Sequence, residues 1–254
     1  MTTQSPSYLD VQAEVGITKH LGGFSATNEL LALCHVADAK EVLYVGAGIG
    51  VGPAYIARKY GCRVVAVDIS EKMLAWTMQR AREEGVADKV EVRLANLLDL
   101  PFDADRFDAV LVESVAAFVE DKAKAVQECR RVTRPGGYVG FNEVFWTEQP
   151  TSDMLEANKR IQMGVALLLL KDWQVLWDAS GLQERTVKAY PVDLRREIKD
   201  RVQWVGRRWS MRAAGRLIRL YFTNPTARQA IKSQTRENSE AYLLMGYGLF
   251  TGKK

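Results

Sequence analysis

Histidine is nearly missing from this chain of 254 residues, with only His20 and His35, and cysteine is limited to Cys34, Cys62 and Cys129. Two histidines exclude a histidine-rich metal site. Three scattered cysteines without CxxC spacing argue against both a zinc site and a disulfide framework, so the thiols read as buried groups in a reducing compartment and no metal is expected. Long apolar runs are missing as well: a bilayer helix needs about 20 apolar residues, and the longest stretch here covers only 165–170, with Met163 and Gly164 before it. The opening residues Met1-Thr2-Thr3-Gln4-Ser5-Pro6 have no basic start followed by an apolar segment. The sequence therefore reads as a cytosolic protein without a secretion signal.

What is present is enough apolar residue, 47% of the chain, to build a sizeable core. An α/β chain of this length is often a single domain, and residues 1–254 are read as one, with an N-terminal helical cap over 1–40 and a helical insert over 191–240. The net charge of +4 is unevenly placed: residues 191–222 hold nine Arg or Lys against three acids, a local +6 that leaves −2 for the remainder. An anionic partner would meet the chain there.

From residue 41 onward, short β-rich runs alternate with helical patterns, the signature of βαβ units and a parallel sheet. Strands are predicted over 41–45, 63–67, 90–94 and 107–112, the last continuously apolar as a strand covered on both faces should be. Ser70 is placed to cap a long helix that carries Met73, Leu74, Met78 and Ala81 on one side and closes at Gly85. A helix is predicted over 122–132, and Pro135-Gly136-Gly137 is read as a sharp turn into a fifth strand over 138–141. Helices over 152–170 and 173–179, a strand over 183–189 and a last strand over 241–250 complete the reading. Within the insert, Leu194, Ile198, Val202, Val205 and Trp209 form one apolar stripe and Met211, Ala214, Ile218 and Tyr221 another, with a break near Gly206 or Ser210.

The run Val45-Gly46-Ala47-Gly48-Ile49-Gly50-Val51-Gly52 places glycines at every second position directly after the first strand. Such a turn lets backbone approach a ligand and points amides toward it at the following helix, so a nucleotide-like cofactor is implied. The dinucleotide pattern GxGxxG is not met: counting from Gly46, Gly48 or Gly50, the sixth position is Val51, Pro53 or Tyr55. A phosphate loop of the GxxxxGK[ST] kind is also missing. Asp68 ends the second strand near the position at which an acid can accept from both ribose hydroxyls. The plainer alternative is an acid interacting with the dipole of the next helix.

Together with Val64-Val65-Ala66-Val67-Asp68-Ile69-Ser70, the stretch from Ala95 to Phe102, the strand from Phe107 to Ser114 and the segment from Arg130 to Glu143, this turn resembles the class I S-adenosylmethionine (SAM)-dependent methyltransferases of the small-molecule, type 11 branch. The resemblance spans residues 18–146. It implies a doubly wound α/β Rossmann-like sheet of seven strands in the order 3-2-1-4-5-7-6, with strand seven antiparallel, a helical insert between strands six and seven, and SAM at the carboxyl edge. Gly46, Gly48 and Gly50 would then face the methionine part of SAM, with Ala47 in the same turn, and Asp68 the ribose. Ile69 and Met73 would flank the adenine, Asn96 and the Leu97 amide would reach its amino group, and Glu113 would lie among the cofactor contacts. Two positions depart from the family: Tyr44 stands where an acid usually steadies the turn, and Asn96 replaces an acid while keeping an acceptor oxygen.

Methyl transfer from a sulfonium is an in-line displacement that neutralises charge, so the protein's main tasks are alignment and exclusion of water, with a base optional. Glu113 is a candidate base or amine-binding group, against the alternatives of a helix cap or an arginine partner. Glu143 is a second candidate, against a strand-end salt bridge. His20, in a segment similar to the glycine pair that phosphoethanolamine-type enzymes fold over SAM, is the third, against a solvent-facing loop. Trp204, Trp209 and the arginines of the insert would form a lid over an apolar or amphipathic acceptor, lie weakly on an anionic membrane surface, or simply pack one face. Base-modifying relatives carry Asn-Pro-Pro-aromatic after strand four; this chain has Glu113-Ser114-Val115-Ala116, and Asn224-Pro225-Thr226-Ala227 lies far off, so no nucleic-acid partner is expected. The expected activity is SAM-dependent methylation of a small molecule. Its competitor is a non-catalytic SAM-binding module of the same fold.

Overall fold

A computed structural model describes residues 8–18, 20–152, 154–155, 167–236 and 244–254. Most of the helix expected over 152–170, Lys19 and the first residues of the expected last strand lie outside them. The strands are β1 (Glu41–Val45), β2 (Arg63–Asp68), β3 (Val90–Leu94), β4 (Phe107–Glu113), β5 (Thr133–Trp146), β6 (Gln183–Pro191) and β7 (Met245–Lys253). They form one sheet in the order β3-β2-β1-β4-β5-β7-β6. β7 is antiparallel to both its neighbours, and the other described pairs are parallel.

The helices are α1 (Tyr8–Val15), α2 (Gly23–Leu33), α3 (Val51–Tyr60), α4 (Glu71–Glu83), α5 (Lys122–Val132), α6 (Leu170–Asp178), α7 (Leu194–Val205), α8 (Arg207–Thr223) and α9 (Pro225–Arg236). None of them is long and apolar enough to cross a membrane. Alternation along β1 shows why the sheet is covered twice: Val42 and Tyr44 join one buried cluster with α2 and α3, while Leu43 and Val45 join another with α5 and α6. Ser70 caps α4, its Oγ accepting from the Met73 N–H at 3.3 Å. α7, α8 and α9 lie between β6 and β7, the inserted helices that the pattern at 191–240 announces.

Three expectations need correction. Pro135-Gly136-Gly137 does not start β5 after a turn; β5 runs through it, and the ladder to β4 shifts register between Phe107 and Ala109 to absorb it. β5 also continues to Trp146 because β7 pairs with it from Tyr138 to Trp146, a non-local pairing that a local pattern does not reveal. In α8 the apolar stripe through Met211 and Ile218 does not join the core: both are exposed, whereas Trp209 and Ala213 are buried. The reason is polar anchoring, since Trp209 Nε1 donates to the Gly16 carbonyl at 2.8 Å and Arg216 Nε to that of Val15 at 2.7 Å. The break falls at Gly206, whose φ of 89° suits a residue without Cβ.

Candidate active site

The carboxyl ends of β1, β2 and β4 meet at the glycine turn. Gly46, Gly48 and Gly50 all have left-handed backbone, with φ of 77°, 54° and 77°. A Cβ at Gly46 would collide with the Val115 side chain, and one at Gly50 would sit 2.7 Å from the Thr77 backbone. At Gly48 the neighbour is Thr18 Oγ1, 3.0 Å away, so the N-terminal segment lies over the turn. The amides are not aimed at open space as the glycine pattern suggests. Gly46 and Ala47 donate to the Val67 carbonyl at 2.8 and 2.9 Å, and Gly50 donates to Ala47. Close approach of backbone is thus required first by the fold itself.

Asp68 is the hinge of this arrangement. Its Oδ2 accepts from the Gly48 N–H at 3.0 Å and its Oδ1 from Ser70 at 2.9 Å. Burial raises its pKa against the lowering effect of those amide bonds. Each oxygen keeps a further lone pair. Beside it Ile69 is 74% exposed, an apolar side chain presented to whatever lies at the end of β2. Met73 points instead into a cluster with Ile49, Val51 and Trp209. Asn96 is exposed and its Oδ1 accepts from the Leu98 N–H at 2.9 Å, while the Leu97 side chain is buried below the edge.

Tyr44 finds its partner across the sheet. Its hydroxyl donates to Glu113 Oε2 at 2.5 Å, and Thr27 Oγ1 donates to the same carboxylate at 3.0 and 3.2 Å. Tyr44 and Glu113 are both buried. Burial, with the Glu113 charge beside it, pushes the Tyr44 phenol well above its usual pKa. The Tyr44 ring lies against Gly52, where a Cβ would collide with it. The acid that the resemblance implies before the glycine turn is thus replaced by Tyr44, and a carboxylate from β4 reaches the same strand.

His20 completes the chain of bonds, its Nε2 lying 3.1 Å from Thr27 Oγ1 and 3.2 Å from the Gly23 carbonyl. Because the Thr27 hydroxyl proton is directed to Glu113, the Thr27 oxygen accepts from the ring, and a carbonyl can only accept. The imidazole therefore donates from Nε2, and no described residue bonds to its Nδ1.

Glu143 is fully buried in β5 and caps the short turn Ala116–Phe118 after β4. It accepts from the N–H groups of Val115, Ala116 and Ala117 at 2.9, 2.8 and 3.3 Å. Burial outweighs these bonds and Lys122 and raises its pKa to about 7. Two neighbours at the ends of β4 and β5 stand out beside it. Ser114 sits at the end of β4 with φ of 56°, a strained conformation for a residue with a Cβ. Asn142, fully buried, donates to the Leu21 carbonyl at 3.0 Å, but its Oδ1 has no partner among the described residues. No local pattern marks either one, since both features arise from where the ends of β4 and β5 meet.

Arg80 of α4 joins the insert to the glycine turn. Its Nε donates to the Ile49 carbonyl at 2.9 Å, its Nη2 to that of Val205 at 3.2 Å, and the guanidinium stacks 4.2 Å from the Trp209 ring centroid. From the other side, the Gly22 N–H donates to Glu197 of α7 at 2.7 Å. Trp204 packs edge-on to His20, at 5.9 Å, and against Phe24 and Tyr55. The insert thus holds Gly16, Gly22 and the His20 ring in place beside the glycine turn.

Comparison with known proteins gives these features a context. Residues 43–141 match the model of a methyltransferase domain. The chain is 32% identical over 139 residues to methyltransferase GfsG of Streptomyces halstedii, covering 55% of this chain and 48% of the relative. It is 36% identical over 102 residues to the sarcosine/dimethylglycine N-methyltransferase of Halorhodospira halochloris, covering 40% and 37%. The chain therefore spans about half or less of the length of either relative. In fold it is similar to a SAM-dependent methyltransferase from Thiobacillus denitrificans solved with S-adenosyl-L-homocysteine, with a TM-score of 0.68, 19% identity and 97% of each chain covered.

Proposed function

The chain belongs to the class I SAM-dependent methyltransferases of the type 11 kind, whose cofactor is SAM, and from that premise we propose that it methylates a small molecule at the carboxyl edge of β1, β2 and β4. The observation that carries the reading is Asp68: a carboxylate locked to the left-handed turn by the Gly48 amide, with lone pairs left for two vicinal hydroxyls. Glycine at Gly46 and Gly50 is required by packing against Val115 and Thr77, so the fit to the cofactor rests on the polar groups at the strand ends. Asn142 Oδ1, a buried acceptor without a described partner, is suited to an ammonium group.

SAM, when bound, supplies an electrophilic methyl on a sulfonium. Asp68 would hold its sugar, with Gly46, Ala47, Gly48 and Gly50 beside it. Ile69, Asn96 and Leu97 would border the base, and Met73 would support that wall from the core. Glu113 and Glu143 act as positioning residues, because their carboxylates are taken up by Tyr44 and Thr27 and by the turn after β4. His20 is then the group left to take a proton from an acceptor, at Nδ1, while Thr27, itself bonded to Glu113, and the Gly23 carbonyl accept its Nε2–H. The insert, with Thr18 and the segment 20–23, would keep water from the transferred group.

The engagement of both carboxylates favours one second reading, a SAM-binding module without transferase activity. Calorimetry with SAM and with NAD, followed by incubation with labelled SAM and a fraction of small metabolites, separates the two. Label transfer lost in Gly46→Arg supports the enzyme. Tight SAM binding with no transfer to any acceptor supports the module, and NAD binding without SAM binding overturns both.

A further inference from the structure

We infer that α8 carries a docking surface for anionic lipid bilayers, formed by Met211, Ile218 and Phe222 with the flanking Arg207, Arg208 and Arg219. The three apolar residues recur at spacings of seven and four, so they lie on one face of the helix. That face is turned away from the protein: Met211 is 75%, Ile218 60% and Phe222 74% exposed. The opposite face is held by Trp209, Ala213 and Arg216, so the exposure belongs to a helix whose rotation is pinned. Gly215 lies between Met211 and Ile218, with nothing within 4 Å of where its Cβ would stand.

Charge selects the occupant. Between residues 207 and 236 there are eight Arg or Lys and not one Asp or Glu, although the whole chain carries only +4. Arg212, on the edge of the face, is paired with Glu83 of α4 at 2.9 Å. Arg207, Arg208 and Arg219 form no ion pair with any described residue and stand beside the apolar stripe. An apolar stripe between arginines suits a headgroup layer, where the side chains enter the acyl boundary and the guanidinium groups meet phosphates. A second copy of the chain is the poorer fit, because equal arrays of arginine would face each other. One helix face about 25 Å long also supplies well under the roughly 800 Å² per partner of a stable dimer.

The test is co-sedimentation of the full chain with vesicles of phosphatidylcholine alone or mixed equally with phosphatidylglycerol, at low and high salt, with sedimentation velocity on the free protein. Wild type should pellet with the mixed vesicles at low salt and be released by high salt. Arg207→Gln/Arg208→Gln/Arg219→Gln should weaken partition on the order of 100-fold, and Met211→Ser/Ile218→Ser/Phe222→Ser by at least about tenfold. All six changes lie on exposed side chains, so circular dichroism and melting should match wild type. The inference is overturned if wild type stays in the supernatant with mixed vesicles at low salt, or if either variant binds as wild type does. It is equally overturned if the apolar variant dissolves a dimer that wild type forms.

Discussion

Replacing Tyr44 by Phe removes one hydroxyl and leaves the buried Glu113 carboxylate with Thr27 as its remaining side-chain donor. A hydrogen bond to a charged, buried acceptor contributes about 1.5–3 kcal/mol, and in a domain of this size each kcal/mol moves the melting temperature by roughly 2–4 °C. Tyr44→Phe should therefore melt roughly 3–12 °C below wild type. A double-mutant cycle isolates the pair: Tyr44→Phe, Glu113→Met and the double variant, each unfolded in urea and followed by tryptophan fluorescence. The coupling energy should be about 1.5–3 kcal/mol. SAM affinity should change less than about threefold, because Gly46 and Ala47 are held by the Val67 carbonyl, independently of Tyr44. Coupling below about 0.5 kcal/mol, or a loss of SAM affinity as large as that of an Asp68 variant, would refute the view that Tyr44 and Glu113 brace the strands beneath the turn.

Asp68→Asn loses the charge and sets an amide NH₂ against a backbone N–H, so calorimetry should show SAM binding weakened roughly 10–100-fold. Glu143 keeps its proton in the folded chain up to about pH 7 and releases it near 4.5 when unfolded; its contribution to stability is present below 4.5 and is lost as pH rises through 7. The stability of Glu143→Gln relative to wild type should therefore climb by about 3 kcal/mol across that window in urea titrations, and a flat difference would contradict the assigned burial. Arg80→Ala cuts the tie between the Ile49 and Val205 carbonyls. Limited trypsin digestion should then cleave at Arg207 or Arg208 severalfold faster, with Arg80→Lys only partly restoring protection because an ammonium lacks the planar fork. Gly52→Ala should lower stability by about 1–3 kcal/mol in thermal melts, and the loss should shrink in a Tyr44→Val background that clears the ring.

The alternation of strand and helix signals, the glycines at every second position and the acid closing the second strand are local features. They suffice for most of the strands and helices, the place of the cofactor turn and the inserted helices, because periodicity and turn chemistry act within a few residues. The seven-stranded order comes from the family resemblance, since pairings such as β5 with β7 are not local. The break at Gly206 and the cap at Ser70 were legible for the same reason. Which acids are free could not be read locally. Glu113 and Glu143 look equivalent at the ends of two strands, yet one is taken by Tyr44 and Thr27, 69 and 86 residues away, and the other by amides 26 to 28 residues away. The outward stripe of α8 is likewise a tertiary decision, made by Trp209 and Arg216 reaching carbonyls near residue 16. Hydrophobic periodicity names a face, but long-range polar anchors choose which face is buried.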